Sequence, residues 1–294
     1  MSISRQNLTV IIVSFKSENV IHDCIQSIDK DLQILIIDNS NNKKFKQDLE
    51  KKYKNVMCIL SEKNLGMGSG NNLGIKNTKT DFVFILNPDV ILKQDTINEL
   101  IKGSEKLNSF SIIAPLGNDK NYPNYKLKKN SKVKFDDTNP FKVISVDGYA
   151  MLMNLKRIKE LEESNYFDEK FFMYLENDDL CKRVIKKKGD IYIIPKSKIN
   201  HLGGKAVDEK YRYEVELSRN WHWRWSKFYF HRKHYGYLYA FINGTPSFLT
   251  SFLKYLFFLL SRNNTKKNIY LQRMSGFVNA LLGKSSHYRP KINF

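Results

Sequence analysis

Four short apolar runs, rich in β-branched residues and separated by stretches of helical spacing, constrain the fold of this 294-residue sequence more than any other feature. Residues 8–15 (LTVIIVSF), 33–38 (QILIID), 56–60 and 81–86 (DFVFIL) are each continuous and of strand length. Between the first two, Val20, Ile21, Cys24, Ile25 and Ile28 recur at the spacing of one helix face, and a further helix is expected over 70–77. Continuous apolar strands joined by helices predict an α/β domain whose mostly parallel central sheet carries helices on both faces.

Downstream the pattern loosens. A helix is expected over 96–107, a strand within 143–153, a helix over 171–187 ending near Gly189, and a strand over 191–194. Residues 117–140 are polar, Lys-rich and turn-rich, as in a surface loop that binds substrate over a rigid sheet. Hydrophobic residues make up 41% and charged ones 27%, which excludes wholesale disorder. No eighteen-residue apolar run marks a membrane span and the N-terminus shows no signal-peptide pattern, so a cytosolic location is expected. Cys24, Cys58 and Cys181 are odd in number and scattered, which fits reduced structural thiols.

Five groups of residues have the composition of a site. Ser14, Glu18, Asp38 and Asn39 stand at the ends of the first two strands, where open α/β sheets bind ligands; a turn cap accounts equally well for Asp38. Asn64 to Asn72 (NLGMGSGNN) is a glycine-rich turn leading into a helix, either a plain turn or a cradle for phosphate or ribose. It is no dinucleotide fingerprint, because the first strand–helix turn (SFKSEN) lacks glycine, and no P-loop, because no Lys-Ser or Lys-Thr closes the run. Asn87-Pro88-Asp89 follows the fourth strand and is either an ordinary turn or an amide and a carboxylate facing a hard divalent cation. Glu176, Asp178 and Asp179, behind the aromatic run FFMY, suit either a helix start or a general base. His201, beside two glycines, is the fifth.

Taken in order, TVIIVSFKSE, LIIDNS, NLGMGSGNNLGI, FVFILNPDV, VDGYAMLM, FDEKFFMYLENDDLCKR and HLGGKA resemble the GT-A glycosyltransferases of family 2, particularly bacterial rhamnosyltransferase-like enzymes, over residues 8–206. The resemblance implies a nucleotide-sugar site on the sheet. Asp38 would hold the base or ribose, with Ser14, Glu18 and Asn39 beside it, and Asn64, Gly66, Gly68 and Asn71 would lie against the nucleotide. Asp147 and Gly148 would complete the donor contacts. Asp89 stands for the last acid of the family's Asp-x-Asp metal motif, with Asn87 in the first acid's place and His201 at a position that reaches the metal, Mg²⁺ or Mn²⁺. Asn177 occupies the position where many relatives carry the base, so Asp179, Glu176 and Asp178 compete for that role, Asp179 ahead. The implied reaction inverts configuration and moves a sugar, rhamnose among the candidates, from a dTDP-, UDP- or GDP-linked donor to a glycan or lipid-linked acceptor in lipopolysaccharide or other polysaccharide synthesis.

Charge separates the last third from the rest. Lys and Arg number 49 against 30 Asp and Glu, a net +19, and no acid follows Glu216. Trp221, Trp223 and Trp225 share a stretch with Arg224, Lys227 and Arg232, and an apolar segment over 248–260 follows Gly244 and Pro246. Aromatics among cations suit single-stranded nucleic acid or an anionic membrane surface. The apolar segment has no use on nucleic acid, so a peripheral position on the inner face of the cytoplasmic membrane is expected. The plainer alternative is a helical hairpin packed on the catalytic domain. The expected division is a catalytic domain over 1–206 and a membrane-associating helical extension over 207–294. A rival expectation, prompted by Asn87 and Asn177, is a non-enzymatic polyanion- or nucleic-acid-binding protein on a degenerate version of the fold.

Overall fold

A computed structural model describes residues 2–119, 121–129, 137–161 and 166–292; part of the loop expected over 117–140 lies outside them. Contacts divide the chain into two compact units, one of residues 1–168 and 177–208, the other of residues 169–176 and 209–294.

The first unit is built on a nine-stranded sheet. Its N-terminal half alternates β1 (Leu8–Ser14), α1 (Ile21–Ser27), β2 (Gln33–Asp38), α2 (Lys43–Lys52), β3 (Val56–Leu60), α3 (Met67–Lys76) and β4 (Phe82–Leu86). Then come β5 (Val90–Leu92), α4 (Thr96–Glu105), β6 (Ile112–Leu116), the two-residue strands β7 (Tyr125–Lys126), β8 (Phe141–Lys142) and β9 (Ser145–Val146), β10 (Ala150–Asn154), α5 (Leu155–Leu161), α6 (Glu176–Lys186) and β11 (Ile191–His201). The strand order is β3-β2-β1-β4-β10-β6-β11-β5, with β8 also on β11, while β7 and β9 pair separately. β1 to β4 run parallel, as their apolar runs require. Beyond them the sheet is mixed, because β10 lies antiparallel to both β4 and β6, and β11 antiparallel to β5 and β8.

Alternate residues of the buried strands feed two cores. Val10, Ile12, Ile34, Ile36, Phe84 and Leu152 face one side; Ile11, Val13, Leu35, Ile37, Ile85 and Met151 face the other. Each fully buried side chain of this kind stabilises by about 1.5–3 kcal/mol. Helix α3 lies against β1 through two glycines one turn apart: a Cβ on Gly70 would stand 2.8 Å from Val13 Cγ1, and one on Gly74 2.6 Å from Ile11 Cγ2. Part of the glycine content of NLGMGSGNNLGI is therefore a demand of packing.

Several boundaries differ from expectation. α3 starts at Met67 rather than near residue 70, directly after Gly66, whose φ of 82° suits glycine alone. The region 143–153 divides into β9 and β10 around a turn. α6 begins at Glu176, not 171, because Tyr174 and Leu175 adopt left-handed φ values of 71° and 67°. β11 runs on to His201, with a bulge between Ile194 and Lys198.

The second unit contains α7 (Arg212–Tyr235), α8 (Tyr237–Leu260) and α9 (Asn264–Leu281). Gly244 and Pro246 do not interrupt α8; a Cβ on Gly244 would meet Phe277 Cε2 at 2.3 Å, so this glycine seats α8 on α9. Trp221 and Trp225 are buried, not interfacial as their composition suggested: their indole N–H groups donate to Ser275 Oγ at 3.1 Å and to the Lys284 carbonyl at 2.9 Å. Trp223 is exposed. Among the described residues no helix is long and apolar enough to cross a membrane.

Candidate active site

Strand β4 delivers Asn87-Pro88-Asp89 into a tight turn closed by Val90 N–H donating to the Asn87 carbonyl at 3.1 Å. Proline's fixed φ suits the second position of such a turn. The chain is held on both sides: Asn87 N–H donates to the Tyr149 carbonyl at 2.9 Å, and Leu202 N–H to the Asp89 carbonyl at 3.0 Å. Because β5 pairs with β11 in a register that sets His201 opposite Val90, His201 Nε2 comes to 3.4 Å from Asp89 Oδ1. The Tyr149 ring stacks on His201 with centroids 4.0 Å apart and fixes the imidazole plane.

The turn carries side-chain acceptors as well as its backbone bonds. The Oδ1 atoms of Asn87 and Asp89 are both buried and accept no hydrogen bond, a costly arrangement unless something else engages them. A carboxylate oxygen, an amide oxygen and an imidazole nitrogen form the donor set of a hard divalent cation. Among the described residues no group of three or more His, Cys, Asp or Glu side chains could hold a metal ion.

The carboxylate of Asp147 sits beside this centre. Burial, and then the charge of Asp178, push its pKa above the ordinary carboxylate range, while Lys126 and His201 oppose the shift. Gly148 admits Asn177, whose Cβ would be 3.1 Å from a Cβ at that position, and Asn177 Nδ2 donates to the Val146 carbonyl at 2.8 Å. The remaining acids of α6 are engaged. Asp178 accepts from Lys126 Nζ at 2.7 Å and from Ser145 Oγ at 2.6 Å. Asp179 is wholly buried and accepts from Arg183 Nε at 2.8 Å. Asp179, placed first among the candidate bases, is thus a buried carboxylate in an ion pair with Arg183.

At the other expected contacts, the polar side chains are largely committed to holding loops. Asp38 is entirely buried and accepts from Ser14 Oγ (3.1 Å), Ser40 N–H (3.2 Å) and Asn42 N–H (2.9 Å); burial, its largest influence, raises its pKa despite these bonds. Asn39 ties the 61–66 segment to β2, donating to the Gly66 carbonyl at 3.1 Å and accepting from Ser61 Oγ at 3.0 Å. Glu18 accepts from Asn42 Nδ2 at 3.2 Å, and Asn64 Oδ1 from Gly66 N–H at 3.0 Å. Gly68 lies in the first turn of α3. Asn71 differs: its Oδ1 is buried without a hydrogen bond. Two functional features escaped sequence reasoning, the Tyr149 ring on His201 and the Lys126–Asp178 pair. Tyr149 sits inside a motif that could have flagged it; nothing in the sequence links Lys126 to Asp178.

The model of the family described as "Glycosyl transferase family 2" matches residues 9–181. The chain belongs to that family. It is 26% identical over 201 residues to the low-salt glycan biosynthesis hexosyltransferase Agl10 of Haloferax volcanii, a match covering 63% of this chain and 64% of Agl10, so the chain spans less than two thirds of that relative. It is also 26% identical over 212 residues to rhamnosyltransferase WbbL of Escherichia coli K12, covering 63% of this chain and 80% of WbbL. Among solved structures, that of GalNAc-T7 with UDP, GalNAc and Mn²⁺ superposes with a TM-score of 0.54 at 16% identity, over 66% of this chain and 43% of the other. That likeness speaks for the fold, GT-A, alone.

Proposed function

We propose that this chain transfers a sugar, rhamnose among the candidates, from a nucleoside-diphosphate donor to a lipid-linked or cell-surface polysaccharide acceptor, with inversion, at a membrane surface. The observation that carries the reading is the pair of buried, unbonded Oδ1 atoms of Asn87 and Asp89 with His201 Nε2 3.4 Å from the latter. Asp89 and His201, with the Asn87 amide, would hold Mg²⁺ or Mn²⁺. A cation there supplies positive charge against the departing diphosphate. With Asn87 in place of an acid, Asp89 is the sole anion of the set.

The residues of the chain have separable tasks. The Gly66 turn and the first turn of α3 present backbone N–H groups to the donor, Asn71 Oδ1 offers an unused acceptor, and Asp38 with Ser14 shapes the base and ribose end. Tyr149 keeps His201 in one orientation. Glu176 is the acid we assign to taking the proton from the acceptor hydroxyl. Two consecutive non-glycine residues in left-handed backbone, Tyr174 and Leu175, fix where Glu176 begins α6. Such backbone costs of order 1–3 kcal/mol per residue and gathers where position matters.

The test is a screen of dTDP-, UDP- and GDP-sugars with Mg²⁺ or Mn²⁺, with and without chelator, scored by nucleoside diphosphate release. At least one donor should turn over, and chelation should stop it. Release from no donor, together with polyanion binding that survives Asp89→Ala, would instead support a non-enzymatic binder.

A further inference from the structure

The membrane-surface reading names a partner but no site on the chain. Within the helical unit, cations from three helices converge on one tyrosine. Arg273 Cζ of α9 lies 5.2 Å from the Tyr270 ring centroid and Lys254 Nζ of α8 lies 5.5 Å from it. Phe258 stacks on Tyr270 with centroids 5.5 Å apart, and Lys266 Nζ stands 5.2 Å over Phe258. From α7, Arg224 comes near Tyr270 and Arg273, and its Nε is buried with no acceptor. Burial first, and Arg273 second, press its pKa below the usual arginine value.

α8 and α9 contain no acid at all, since none follows Glu216. The two glutamates of α7 accept from neutral donors, Glu214 from Lys291 N–H at 3.1 Å and Glu216 from Asn220 Nδ2 at 2.6 Å, and Asn220 Oδ1 in turn accepts from Arg273 Nε at 2.6 Å. A buried guanidinium N–H without an acceptor, beside further cations and a phenol, is the donor set that recognises a phosphoryl group.

The face of α8 next to Lys254 says what carries the phosphate. Leu238, Ile242, Leu249, Leu253 and Leu260 recur at helical spacing and are 70%, 59%, 53%, 65% and 83% exposed. From Leu238 to Leu260 this stripe extends roughly 33 Å along the helix. An occupant that offers phosphate beside a broad apolar phase is a bilayer of anionic lipid; a nucleic acid or a free phosphate would leave the stripe in water.

We propose that Arg224, Lys254, Lys266, Arg273 and Tyr270 form a binding site for the phosphate headgroup of an anionic membrane lipid, with the apolar stripe of α8 laid into the acyl region beside it. The proposal deepens the membrane-surface reading and does not depend on which sugar is transferred.

Flotation of the full chain on vesicles of phosphatidylcholine alone, and of phosphatidylcholine with 30% phosphatidylglycerol (about a third anionic, enough for a strong surface potential), tests it. Wild type should bind the anionic vesicles at least ~10-fold more tightly. Lys254→Gln/Arg273→Gln should lose ~10-fold or more, and so should Lys254→Gln/Lys266→Gln, which leaves the Arg273–Asn220 bond intact. Lys233→Gln/Lys284→Gln, near the C-terminal ends of α7 and α9, removes the same charge and should change affinity less than ~2-fold. Inorganic pyrophosphate and a single-stranded oligonucleotide, titrated at the same salt, should bind more weakly than the anionic vesicles. Equal losses in the cluster and control variants would overturn the site while leaving membrane binding standing. Equal binding to neutral vesicles would overturn the anionic-headgroup site while leaving membrane binding standing, binding to neither vesicle would overturn both, and tighter binding of pyrophosphate or oligonucleotide would overturn the lipid as occupant.

Discussion

At Asp89 one residue has two jobs that ordinarily exclude each other: its backbone closes a turn, and its side chain keeps a buried oxygen with no hydrogen bond. Removing the carboxylate leaves the turn's backbone bonds intact, so Asp89→Ala should fold as wild type yet lose at least ~100-fold in kcat/KM, about 2.7 kcal/mol of transition-state stabilisation. The α6 acids give a sharper contrast. Asp179→Asn removes the buried carboxylate that pairs with the half-buried Arg183 guanidinium and should lower unfolding stability by about 1–3 kcal/mol. Glu176→Gln should leave stability within about 1 kcal/mol and cut kcat with little change in donor KM. Urea melts and steady-state kinetics on the two variants separate the roles; a stable but inactive Asp179→Asn would restore Asp179 as base. The motif order exposed these acids in the sequence, but not their partners. Arg183 is one helical turn from Asp179, whereas Lys126 reaches Asp178 across 52 residues, a pairing that only the folded chain creates.

Elements were legible where one physical cause dominates. The apolar β-branched runs placed β1 to β4, and helical spacing placed α1 and α4 to within a few residues. They were not legible where tertiary contact decides. Nothing in Tyr174 or Leu175 announces left-handed backbone, so the start of α6 was set five residues early; nothing in Gly244 distinguishes a helix break from a seat for Phe277. The glycines of α3 mix both causes. Gly74→Ala should destabilise the first unit by about 1–3 kcal/mol, read in thermal unfolding, because its Cβ would meet Ile11 at 2.6 Å. In α7, His222 is wholly buried and neutral, bonded through Nε2 to the Tyr288 carbonyl at 2.8 Å and through Nδ1 to Ser286 Oγ at 3.1 Å. Burial pulls its pKa down from 6.5 to about 3. A folded pKa below the unfolded one means that its contribution is fully present above about 6.5 and drains away as pH falls toward 3, to a total of order a few kcal/mol. The unfolding midpoint should therefore fall between pH 7 and 5 more steeply in wild type than in His222→Asn. Parallel slopes would assign the loss to other groups.

For the whole molecule, charge and chemistry are divided along the chain: most of the family 2 match and the Asp89 turn lie in the first unit, the cation cluster and the α8 stripe in the second. The resemblance and the strand pattern conveyed the family and the fold class from sequence alone, whereas the composition of 218–233 misassigned Trp221 and Trp225 because an indole looks the same in a core as at a headgroup. The account rests most heavily on Asp89 as the anion that holds a metal-bound donor. Calorimetric titration of the donor that turns over, in Mn²⁺ and in chelator, into wild type and Asp89→Ala measures this directly. The expected result is binding by wild type that weakens at least ~100-fold on chelation, and about as much on Asp89→Ala with metal present. Equal affinity in all four titrations would contradict it.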